Sequence, residues 1–587
     1  MNKQECDVLR TLLTEPFVNQ RILAKTAGHS LGVINRSIKN LTEAGYLNAN
    51  MQPTKQAKQL CRQRAPKNAV ILAAGFGMRM VPINLETPKA LLEVNGEPMI
   101  KRTIRQLHDV GITEIYIVVG FMKEQFEYLI DEYGVELIVN PYYASKNNIW
   151  SLKLALDKLS NSYIIPCDIW CAKNPFRRCE LSSWYMASDA ADSDSNIRVN
   201  RGGELTAVPK SKGGNAMVGI SYLLEKDCEI LRNRIGLLCQ DEKNHSIFWE
   251  SALYENGKMT IPARVVRASD IAEINTYEQL RELDGKSNHL RSEALDTIAN
   301  VFHASPDSLT DIAVLKKGMT NRSFLFTYDG IKYIMRVPGE GTKQLIDRRH
   351  EAGVYKAIRG RGLCDDPVFI DPDSGYKITK YLDGVRVADK DDENDLKRCM
   401  DKLREFHAMK LKADHEFDIF GQIEFYEKLW EGQPSIYKDY EKTKANVLSL
   451  RPYIEAHVQT KVLTHMDAVP DNFLFYKTNE GEQLQLTDWE YAGMQDPHVD
   501  IAMFCIYSFY DRNRVDRLID IYFDGDCPKD TRVKIYCYIA ACGLLWSNWC
   551  EYKSRQGVEF GEYSLRQYRY AKDYYKIAQN ETGEEYV

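Results

Sequence analysis

The chain has 587 residues and a net charge of −6, so it is too long for one hydrophobic core and must fold as several domains. Apolar content of 44% and charged content of 27% are ordinary for globular proteins. No segment approaches the run of about 20 apolar residues that a membrane helix requires, and the N-terminus MNKQECDVLR lacks the apolar core of a signal peptide. With 14 scattered cysteines and no CxxC pair, we expect reduced thiols and a cytoplasmic protein without membrane insertion.

The first segment, residues 1–65, is basic, whereas the rest of the chain is acidic. It holds ten Lys and Arg against four Asp and Glu, so its charge is +6 and the remainder carries −12. Its apolar spacing predicts three helices and a wing, with Ser30 as the N-cap of the third helix. The segment resembles the winged helix-turn-helix of MarR-like regulators, which implies that the third helix would offer Asn35, Arg36 and Lys39 to the DNA major groove. Protein contacts or dimerisation are the alternative use of such a domain.

The second segment, residues 67–285, alternates strand-like and helix-like patterns, as in AVILAAG, TIRQLHDVG, EIYIVVG and SYIIPCD. This alternation predicts a mostly parallel α/β sheet. Its first strand runs into a loop with Gly75 and Gly77, whose backbone N–H groups can approach anionic oxygens closely. Arg79 and Lys89 add positive charge that would stabilise a pentacovalent phosphorus. The third glycine of a dinucleotide fingerprint and the Gly-Lys-Ser/Thr of a P-loop are both missing.

The spacing LAAGFGMRM…TPKALLEVNGEPMI resembles the signature of nucleotidyltransferases that join a nucleoside triphosphate to a phosphorylated acceptor. The resemblance implies a Rossmann-like α/β domain whose loop, with Ala73 and Ala74, wraps the triphosphate. It also implies two Asp ligands for Mg²⁺, one at the end of a later strand, here Asp168, and one near the end of the domain. This sequence has Asn275 at the second place, where an amide oxygen would ligate Mg²⁺ without a negative charge. Glu273 is a nearby acid that could assist.

The segment VGFMKEQFEYLIDEYGVELIVNPYYASKNNIWSL further resembles the small bacterial CTP:phosphocholine cytidylyltransferases. That resemblance implies CTP and phosphocholine as substrates, with Asn148 in an Asn-Asn-x-aromatic-Ser-Leu element. A trimethylammonium group is bound by aromatic faces and a carboxylate. The candidates for this role are Trp150, Trp170, Tyr222, Trp249 and Glu250. Core packing is the alternative role of each aromatic residue.

Beyond the second segment the pattern changes to antiparallel strands and then to a largely helical remainder, which predicts a bilobal kinase-like domain with lobes at 290–385 and 386–580. LTHMDAVPDNFLFY supplies Asp467 with Asn472 five residues later, and LQLTDWEYAG supplies Asp488 on the next strand. Phosphoryl transfer to a hydroxyl group needs a carboxylate beside it and two oxygen ligands for Mg²⁺. We therefore predict Asp467 as the catalytic base and Asn472 and Asp488 as metal ligands.

Upstream, YIMRVPG places Arg336 where protein kinases keep a strand lysine, with Glu351 as its helix partner. An arginine here is typical of choline kinases and their bacterial relatives, which MTNRSF, RVPGEGTKQLIDR and TDWEYAG also resemble. Aminoglycoside phosphotransferases share the His-x-Asp pattern and are the alternative. The predicted turn over the ATP phosphates is lined by Gly318, Thr320, Asn321 and Ser323.

The tail LLWSNWCEYKSRQGVEFGEY places Trp546 and Trp549 on one helix face. It resembles the region of choline kinases whose aromatic rings enclose the quaternary ammonium. Tyr563 and Glu490 complete the candidates for choline binding. Sealing the helical lobe is the alternative role of the tryptophan pair.

Together the resemblances imply a multidomain α/β and α+β protein in which a choline kinase is fused to a phosphocholine cytidylyltransferase. Such a fusion would convert choline, ATP and CTP through phosphocholine into CDP-choline with Mg²⁺ as cofactor. Two alternatives stay open. One is the same chemistry on ethanolamine or another amino alcohol, and the other is a choline- or nucleotide-responsive transcriptional regulator with one degenerate catalytic domain.

Overall fold

The computed structural model describes residues 1–83, 87–200, 202–315, 321–339, 345–364, 366–478, 481–556, 558 and 560–582. The chain divides into two compact units, Met1–Leu295 and Asp296–Val587. The predicted winged helix and nucleotidyltransferase segments both lie in the first unit. Among the described residues, no helix is long and apolar enough to cross a membrane.

The first unit contains helices and strands in alternation after its N-terminal helices. Its helices are α1 Lys3–Thr14, α2 Gln20–Ala27, α3 Leu31–Glu43, α4 Lys55–Gln63, α5 Met99–Asp109, α6 Tyr128–Tyr133, α7 Asn148–Lys153, α8 Glu225–Leu238 and α9 Tyr277–Leu283. Its strands are β1 Asn68–Ala73, β2 Glu93–Val94, β3 Glu97–Pro98, β4 Glu114–Val119, β5 Glu136–Val139, β6 Ser162–Pro166, β7 Ile169–Cys171, β8 Trp184–Asp192, β9 Ile197–Val199, β10 Glu204–Ala207, β11 Gly214–Leu223, β12 Tyr254–Glu255, β13 Lys258–Val266 and β14 Ile271–Glu273.

The N-terminal helices form where the apolar spacing predicts them. The side chains of Asn2 and Asn19 accept hydrogen bonds from the first turns of α1 and α2, as capping residues do. Ser30 occupies the N-cap of α3 as predicted, but its side chain makes no capping hydrogen bond. A bridge between Leu47 and Pro53 forms the wing.

Helix α1 of the winged helix packs against the transferase domain through a buried ionic network. Glu180 is 0% exposed and accepts hydrogen bonds of 2.7 and 2.8 Å from the guanidinium of Arg264. Arg10 of α1 lies 3.7 Å from the same carboxylate, and Lys3 donates a 2.6 Å hydrogen bond to the carbonyl oxygen of Ala263. Helix α1 therefore helps to anchor the winged helix within this unit.

Cys61 of α4 and Cys179 of the transferase domain form a disulfide. The expectation that all cysteines are reduced is therefore wrong for this pair. The two residues are separated by 118 positions, and docking of the winged helix brings them together, which no local spacing reveals. In the same unit, free thiols are carried by Cys6, Cys167, Cys171, Cys228 and Cys239.

Ten strands of the described part of the first unit form one sheet in the order β5-β4-β1-β6-β11-β8-β13-β10-β9, with β12 paired to β13. Strands β5, β4, β1 and β6 run parallel, and β1 is buried along its whole length, as in parallel sheets covered on both faces. Strand β11 pairs antiparallel with both β6 and β8. The predicted parallel pairing is present in the first half and between β8 and β13. The other pairs of the second half are antiparallel, because short turns rather than crossover helices join β8 through β11.

The second unit has strands followed mainly by helices. Its helices are α10 Glu293–Phe302, which begins in the first unit, α11 Arg348–Ile358, α12 Glu393–Ala408, α13 Ile419–Lys428, α14 Tyr440–Leu448, α15 Arg451–His457, α16 Val499–Ser508, α17 Arg512–Tyr522, α18 Lys529–Arg555 and α19 Glu562–Thr582. Its strands are β15 Thr310–Val314, β16 Asn321–Tyr328, β17 Ile331–Pro338, β18 Phe369–Ile370, β19 Lys377–Lys380, β20 Arg386–Val387, β21 Val462–Thr464, β22 Phe473–Thr478, β23 Gly481–Leu486 and β24 Gly493–Gln495.

A small antiparallel sheet and a helical lobe confirm the predicted bilobal fold. In the described residues the sheet has the order β15-β16-β17-β19-β18, and α18 runs through the core of the helical lobe. Helix α19 approaches α18 closely at Gly543, where an added Cβ would lie 2.8 Å from the carbonyl oxygen of Gln567. A larger residue at Gly543 would therefore push the two helices apart.

Candidate active sites

The loop after β1 lines a cavity of about 530 Å³ in the first unit. Gly77 has a φ of +64°, and an added Cβ there would lie 3.4 Å from the Cβ of Lys89. Glycine therefore lets the loop close over the lysine. Gly75, Arg79 and Lys89 line this cavity together with Ala74. The preceding Ala73, also predicted to bind nucleotide, packs instead into the core beneath the sheet.

Three polar residues meet at the carboxyl end of β6. Strand β7 follows Asp168 and pairs antiparallel with β14, which precedes Asn275. The Lys89 ammonium lies 2.7 Å from Oδ2 of Asp168 and 2.7 Å from Oδ1 of Asn275. The side-chain amide of Asn275 donates to Glu273, so its oxygen is the atom that faces the lysine. The structure thus brings together the residues that the sequence assigned to one site.

The donor set at this position is suited to a hard cation. A carboxylate oxygen and an amide oxygen are ligands that Mg²⁺ accepts, and both already converge on one positive charge, that of Lys89. Asp168 and Asn275 would therefore hold Mg²⁺. Among the described residues, no group of three or more His, Cys, Asp and Glu side chains is arranged to hold a metal.

Glu250 is the buried carboxyl group of the transferase cavity. Its Oε1 accepts a 3.2 Å hydrogen bond from the Tyr185 hydroxyl, whereas Oε2 has no hydrogen-bond partner in the described part of the chain. Burial raises the pKa of Glu250 to about 7. Asn148 accepts a 2.9 Å hydrogen bond from the backbone N–H of Trp249, which fixes the turn that carries Glu250.

Only part of the predicted ammonium-binding set reaches this cavity. Trp249 and Glu250 line it, although Trp249 is nearly fully buried. The ring of Trp150 is covered by two lysine ammonium groups, at 3.5 and 4.0 Å from its centre, and a third cation would be repelled there. Tyr222 is buried in the core of the sheet, and Trp170 contacts a guanidinium group. In this structure these three residues therefore do not line the cavity.

The second unit contains a cavity of about 1090 Å³ with a polar part and an aromatic part. The polar part includes the predicted residues Asn321, Ser323, Arg336, Asp467, Asn472, Asp488 and Glu490. The aromatic part includes Tyr491, Tyr507, Trp546, Trp549, Phe560 and Tyr563. The cavity therefore joins the predicted phosphoryl-transfer residues to the predicted choline-binding residues.

Asp467 and Asn472 are connected by a short catalytic loop. The Asn472 side-chain amide donates hydrogen bonds to the carbonyl oxygen and to Oδ2 of Asp467, at 2.8 and 3.1 Å. Burial, together with the carboxylates of Asp488 and Glu490, raises the pKa of Asp467 to about 8. Burial and Glu490 also raise the pKa of Asp488. The two carboxyl groups therefore hold their protons to higher pH than usual, because no cation at the site compensates their charge fully.

This charge balance fits Mg²⁺. With its NH₂ group turned to Asp467, Asn472 keeps its amide oxygen for a cation. Asp488 supplies a buried carboxylate in the same cavity. Asn472 and Asp488 would hold the ion, as the sequence predicts.

His465 supports the catalytic loop. Its Nε2 lies 2.8 Å from the carbonyl oxygen of Thr487, which can only accept, so this nitrogen carries the hydrogen. The carboxylate of Asp500 accepts from the backbone N–H groups of His465 and Met466 at 2.9 and 2.8 Å. His407 contacts the same carboxylate at 2.9 Å. Sequence reasoning missed Asp500 and His407 because each lies far along the chain from the motif.

The predicted Arg336–Glu351 pair is present and buried. Arg336 donates to both carboxylate oxygens of Glu351, and Arg348 donates to Oε2 at 2.8 Å. Lys377 lies 3.6 Å from Oε1. Burial would raise the pKa of Glu351, but Lys377, Arg336 and Arg348 lower it to about 2. Glu351 is therefore ionised and organises three cations.

Glu490 is held at the polar side of the cavity. Its Oε2 accepts hydrogen bonds from Asn321 at 2.8 Å and from Arg348 at 3.1 Å. The prediction that Glu490 serves choline is thus not favoured, since its carboxylate is engaged with the nucleotide-side residues. Two further predicted residues of that side, Gly318 and Thr320, lie outside the described residues.

The aromatic part is an enclosure of rings in edge-to-face and tilted contacts. Tyr491 meets Trp546 at 5.4 Å between ring centres and 89° between planes. Trp546 meets Trp549 at 5.6 Å, and Trp549 meets Phe560 at 5.3 Å. Phe560 lies 6.5 Å from Tyr563. The predicted tryptophan pair and Tyr563 thus share one enclosure with two rings that the sequence did not single out.

Two of the missed residues carried a local signal. Arg348 precedes Glu351 by three positions on α11, and helical residues at this spacing are neighbours. Tyr491 directly follows the predicted Glu490. The burial of Lys377 beside Tyr355 had no such signal, because it depends on the packing of β19 against α11.

Family models match three segments of the chain. Residues 1–48 match the winged helix-turn-helix DNA-binding family, residues 69–191 match the MobA-like NTP transferase domain, and residues 311–536 match the phosphotransferase enzyme family.

Individual relatives match the two catalytic domains separately. The choline-phosphate cytidylyltransferase of Streptococcus pneumoniae is 33% identical over 37% of this chain and 96% of its own. The 2-aminoethylphosphonate cytidylyltransferase of Lancefieldella rimae is 32% identical over 37% of this chain and 92% of its own. Protein LicA of Haemophilus influenzae is 25% identical over 42% of this chain and 95% of its own. The chain therefore belongs to the nucleotidyltransferase family, and the same polypeptide carries a phosphotransferase-family domain and a winged helix-turn-helix.

Proposed function

We propose that the chain converts choline into CDP-choline in two reactions. In the first reaction, ATP phosphorylates the hydroxyl group of choline, with Asp467 as the base. In the second, phosphocholine reacts with CTP in the cavity of the first unit. The observation that carries the proposal is the aromatic enclosure of Trp546, Trp549 and Tyr563 in the same cavity as Asp467. A quaternary ammonium has no N–H to donate, so ring faces are well suited to hold it.

The phosphotransferase chemistry follows from the polar part of the cavity. Asp467 would accept the proton of the choline hydroxyl while that oxygen attacks the γ-phosphorus of ATP, and ADP leaves. Asn472 and Asp488 would hold Mg²⁺, which offsets negative charge on the phosphoryl oxygens. Arg336, fixed by Glu351, would add a positive charge at the nucleotide side.

The nucleotidyl transfer needs no general base. An anionic phosphate oxygen of phosphocholine would attack the α-phosphorus of CTP, and the bond to the bridging oxygen of the β-phosphate would break to release pyrophosphate. The backbone of the loop at Gly75 and Gly77, with Arg79 and Lys89, would stabilise the charge that develops. Glu250 would face the ammonium group of the acceptor.

Ethanolamine and 2-aminoethylphosphonate are the competing acceptor chemistries. The transferase cavity offers the buried carboxylate of Glu250, which would serve a primary as well as a quaternary ammonium. The phosphotransferase cavity offers mostly rings in its aromatic part. Because the first product must serve as the second substrate, the rings favour choline.

The test follows phosphorus signals from the full chain supplied with choline, ATP, CTP and Mg²⁺. We expect phosphocholine first, then CDP-choline and pyrophosphate. Asp467→Asn should block both products from choline but leave CDP-choline formation from added phosphocholine, whereas Arg79→Ala should stop at phosphocholine. Phosphocholine without CDP-choline in the unmodified chain would refute the transferase half, and neither product would refute the whole proposal.

Specificity is tested with the same assay. Phosphocholine, phosphoethanolamine and 2-aminoethylphosphonate are compared as acceptors for CTP, and choline and ethanolamine as acceptors for ATP. We expect choline and phosphocholine to have the highest kcat/KM. A higher kcat/KM for ethanolamine, phosphoethanolamine or 2-aminoethylphosphonate would mean that this compound, and not its choline counterpart, is the substrate.

We infer a second role, DNA binding, for the winged helix. Asn35, Arg36 and Lys39 of α3 are exposed. The anchoring contacts within the unit come from α1 and from Cys61 of α4. The face that would enter the major groove is thus left open, and its charge suits phosphates. This role is compatible with catalysis and would make the enzyme a regulator as well.

Fluorescence anisotropy with DNA from the gene's own upstream region tests this role. We expect binding that is stronger than to scrambled DNA and that weakens with rising salt. The double variant Arg36→Ala/Lys39→Ala should abolish it, while Lys173→Ala/Lys258→Ala, which removes two exposed transferase cations, should not. Equal binding to both DNA sequences, or none, would refute the role.

A further inference from the structure

The ammonium group of Lys89 lies where a metal ion would bind at the transferase site. Lys89 is 8% exposed, and its ammonium is 2.7 Å from one oxygen each of Asp168 and Asn275. These two oxygens are the ones that would ligate Mg²⁺. The lysine therefore stands at the point on which the ligands converge.

The surroundings hold this arrangement in place. The carbonyl oxygen of Asp168 accepts a 3.0 Å hydrogen bond from the backbone N–H of Ile274. The backbone N–H of Asn275 donates to Gln279 at 2.7 Å, and its side-chain NH₂ donates to Glu273. Asn275 thus cannot turn its NH₂ group toward Lys89 without losing that bond.

The charges of the three residues cancel. Asp168 carries −1, Lys89 carries +1 and Asn275 is neutral, so the three residues that meet are neutral without any added ion. The nearby acid Glu273 is exposed to solvent and bonded to the NH₂ group of Asn275. With Asp at position 275, the same group would carry −1 and attract a divalent cation. A cation that approaches the actual group meets a nearby ammonium of like charge, which raises its energy.

We propose that Lys89 is the resident counter-cation of the transferase site, and that a divalent cation binds at Asp168 and Asn275 only when a nucleotide triphosphate draws Lys89 away. The triphosphate supplies both the new partner for the ammonium and further oxygen ligands for the cation. Asn275 makes this order strict, since it removes the charge that would recruit the ion first. The inference rests on the proposed nucleotidyl transfer at this site.

Mn²⁺ binding to the full chain tests the inference without measuring activity. The double variant Asp467→Asn/Asp488→Asn serves as background, because it removes carboxylates of the phosphotransferase site. Free Mn²⁺ is followed by electron paramagnetic resonance. We expect Asn275→Asp and Lys89→Met, each added to this background, to bind Mn²⁺ at least tenfold more tightly than the background does in the absence of nucleotide.

Asn256→Asp is the matched control, because it makes the same charge change at an exposed turn, and it should leave Mn²⁺ binding unchanged. Water proton relaxation distinguishes Mn²⁺–CTP bound to the protein from Mn²⁺–CTP in solution. In the background variant we expect relaxation enhancement with CTP and none without it.

Two results would overturn the inference. One is tight Mn²⁺ binding by the background variant without nucleotide, and the other is an unchanged Mn²⁺ affinity in both Asn275→Asp and Lys89→Met. Failure of the proposed function is separate, since it is read from the absence of CDP-choline in the phosphorus assay. Asn275→Asp keeps the shape of the side chain and Lys89→Met keeps most of its length, so we expect both variants to fold, and circular dichroism checks both.

Discussion

The two catalytic regions treat buried negative charge in different ways. In the transferase cavity, Asp168 is paired with the ammonium of Lys89 at 2.7 Å. In the phosphotransferase cavity, burial and neighbouring carboxylates raise the pKa of Asp467 to about 8 and also raise the pKa of Asp488. A buried carboxyl group must find a partner or give up its charge, and the chain uses both solutions.

The contrast indicates how each site is prepared for its substrates. The phosphotransferase site holds buried carboxyl groups that keep their protons to higher pH, and a divalent cation would take the place of those protons. The transferase site is neutral until the triphosphate arrives. The aromatic residues differ as well, because Trp546 and Trp549 line their cavity, whereas Trp150 is covered by lysines.

We expect the largest effect when the catalytic base of the phosphotransferase site is removed. Asp467→Asn should lower kcat for choline phosphorylation about 10³- to 10⁴-fold, because it removes the acceptor for the hydroxyl proton. Nucleotidyl transfer to added phosphocholine should be unchanged, and a coupled ADP assay with a pyrophosphate assay measures both. A loss of tenfold or less would mean that Asp467 is not the base.

The next effect concerns stability in the phosphotransferase unit. Glu351→Gln should destabilise the region around β17 and α11 by about 3–5 kcal/mol, because it leaves buried cations without their carboxylate. Hydrogen exchange in peptides from these elements measures the change. The matched control is Glu482→Gln, whose partner Arg386 is 45% exposed, and it should cost at most about 1 kcal/mol. Equal effects of the two changes would contradict the assignment.

A smaller effect is expected when a tryptophan of the phosphotransferase cavity is compared with one of the transferase domain. Trp549→Ala should raise KM for choline about 10- to 30-fold, as expected for loss of a cation–π partner, with a smaller change in kcat. Trp150→Ala should leave KM for phosphocholine within about twofold, since lysines already cover that ring. Steady-state kinetics of both reactions provides the comparison, and a larger effect at Trp150 would reverse it.

The smallest effect is a pH dependence at the transferase site. A carboxyl group whose pKa is raised to about 7, as for Glu250, is mostly protonated at pH 6 and mostly ionised at pH 8. KM for phosphocholine should therefore fall about fivefold to tenfold between these values, because only the ionised form attracts the ammonium. Glu250→Gln should flatten the profile apart from the titration of the substrate phosphate. An unchanged profile in the variant would exclude Glu250 from substrate binding.

Much of the fold could be predicted from local pattern. The apolar spacing of the N-terminal segment predicts α1 to α3, and the buried run of β1 followed by Gly75 and Gly77 predicts a strand that ends in a phosphate-binding loop. The fixed spacing of Asp467 and Asn472 predicts their contact, because five residues of one loop join them. In these cases the interacting groups are neighbours along the chain.

Other features could not be predicted in this way. The pairing of β11 with β6, the Cys61–Cys179 disulfide and the Asp500 support of the catalytic loop all join distant segments. Each depends on which surfaces pack together, and the sequence reports only that a surface is apolar or charged. For the same reason, aromatic composition alone did not separate Trp249 at a cavity wall from Trp150 beneath two lysines.

By itself, the sequence determined the residue types of both sites and the order of the domains that carry them. It also determined the substitution at Asn275, with its loss of one negative charge. Only the tertiary structure decided that Lys89 meets Asp168 and Asn275, which lie 79 and 186 positions away. The charge of a side chain is a property of its residue type, but its partner depends on packing between remote segments, so the neutral state of this site exists only in the folded chain.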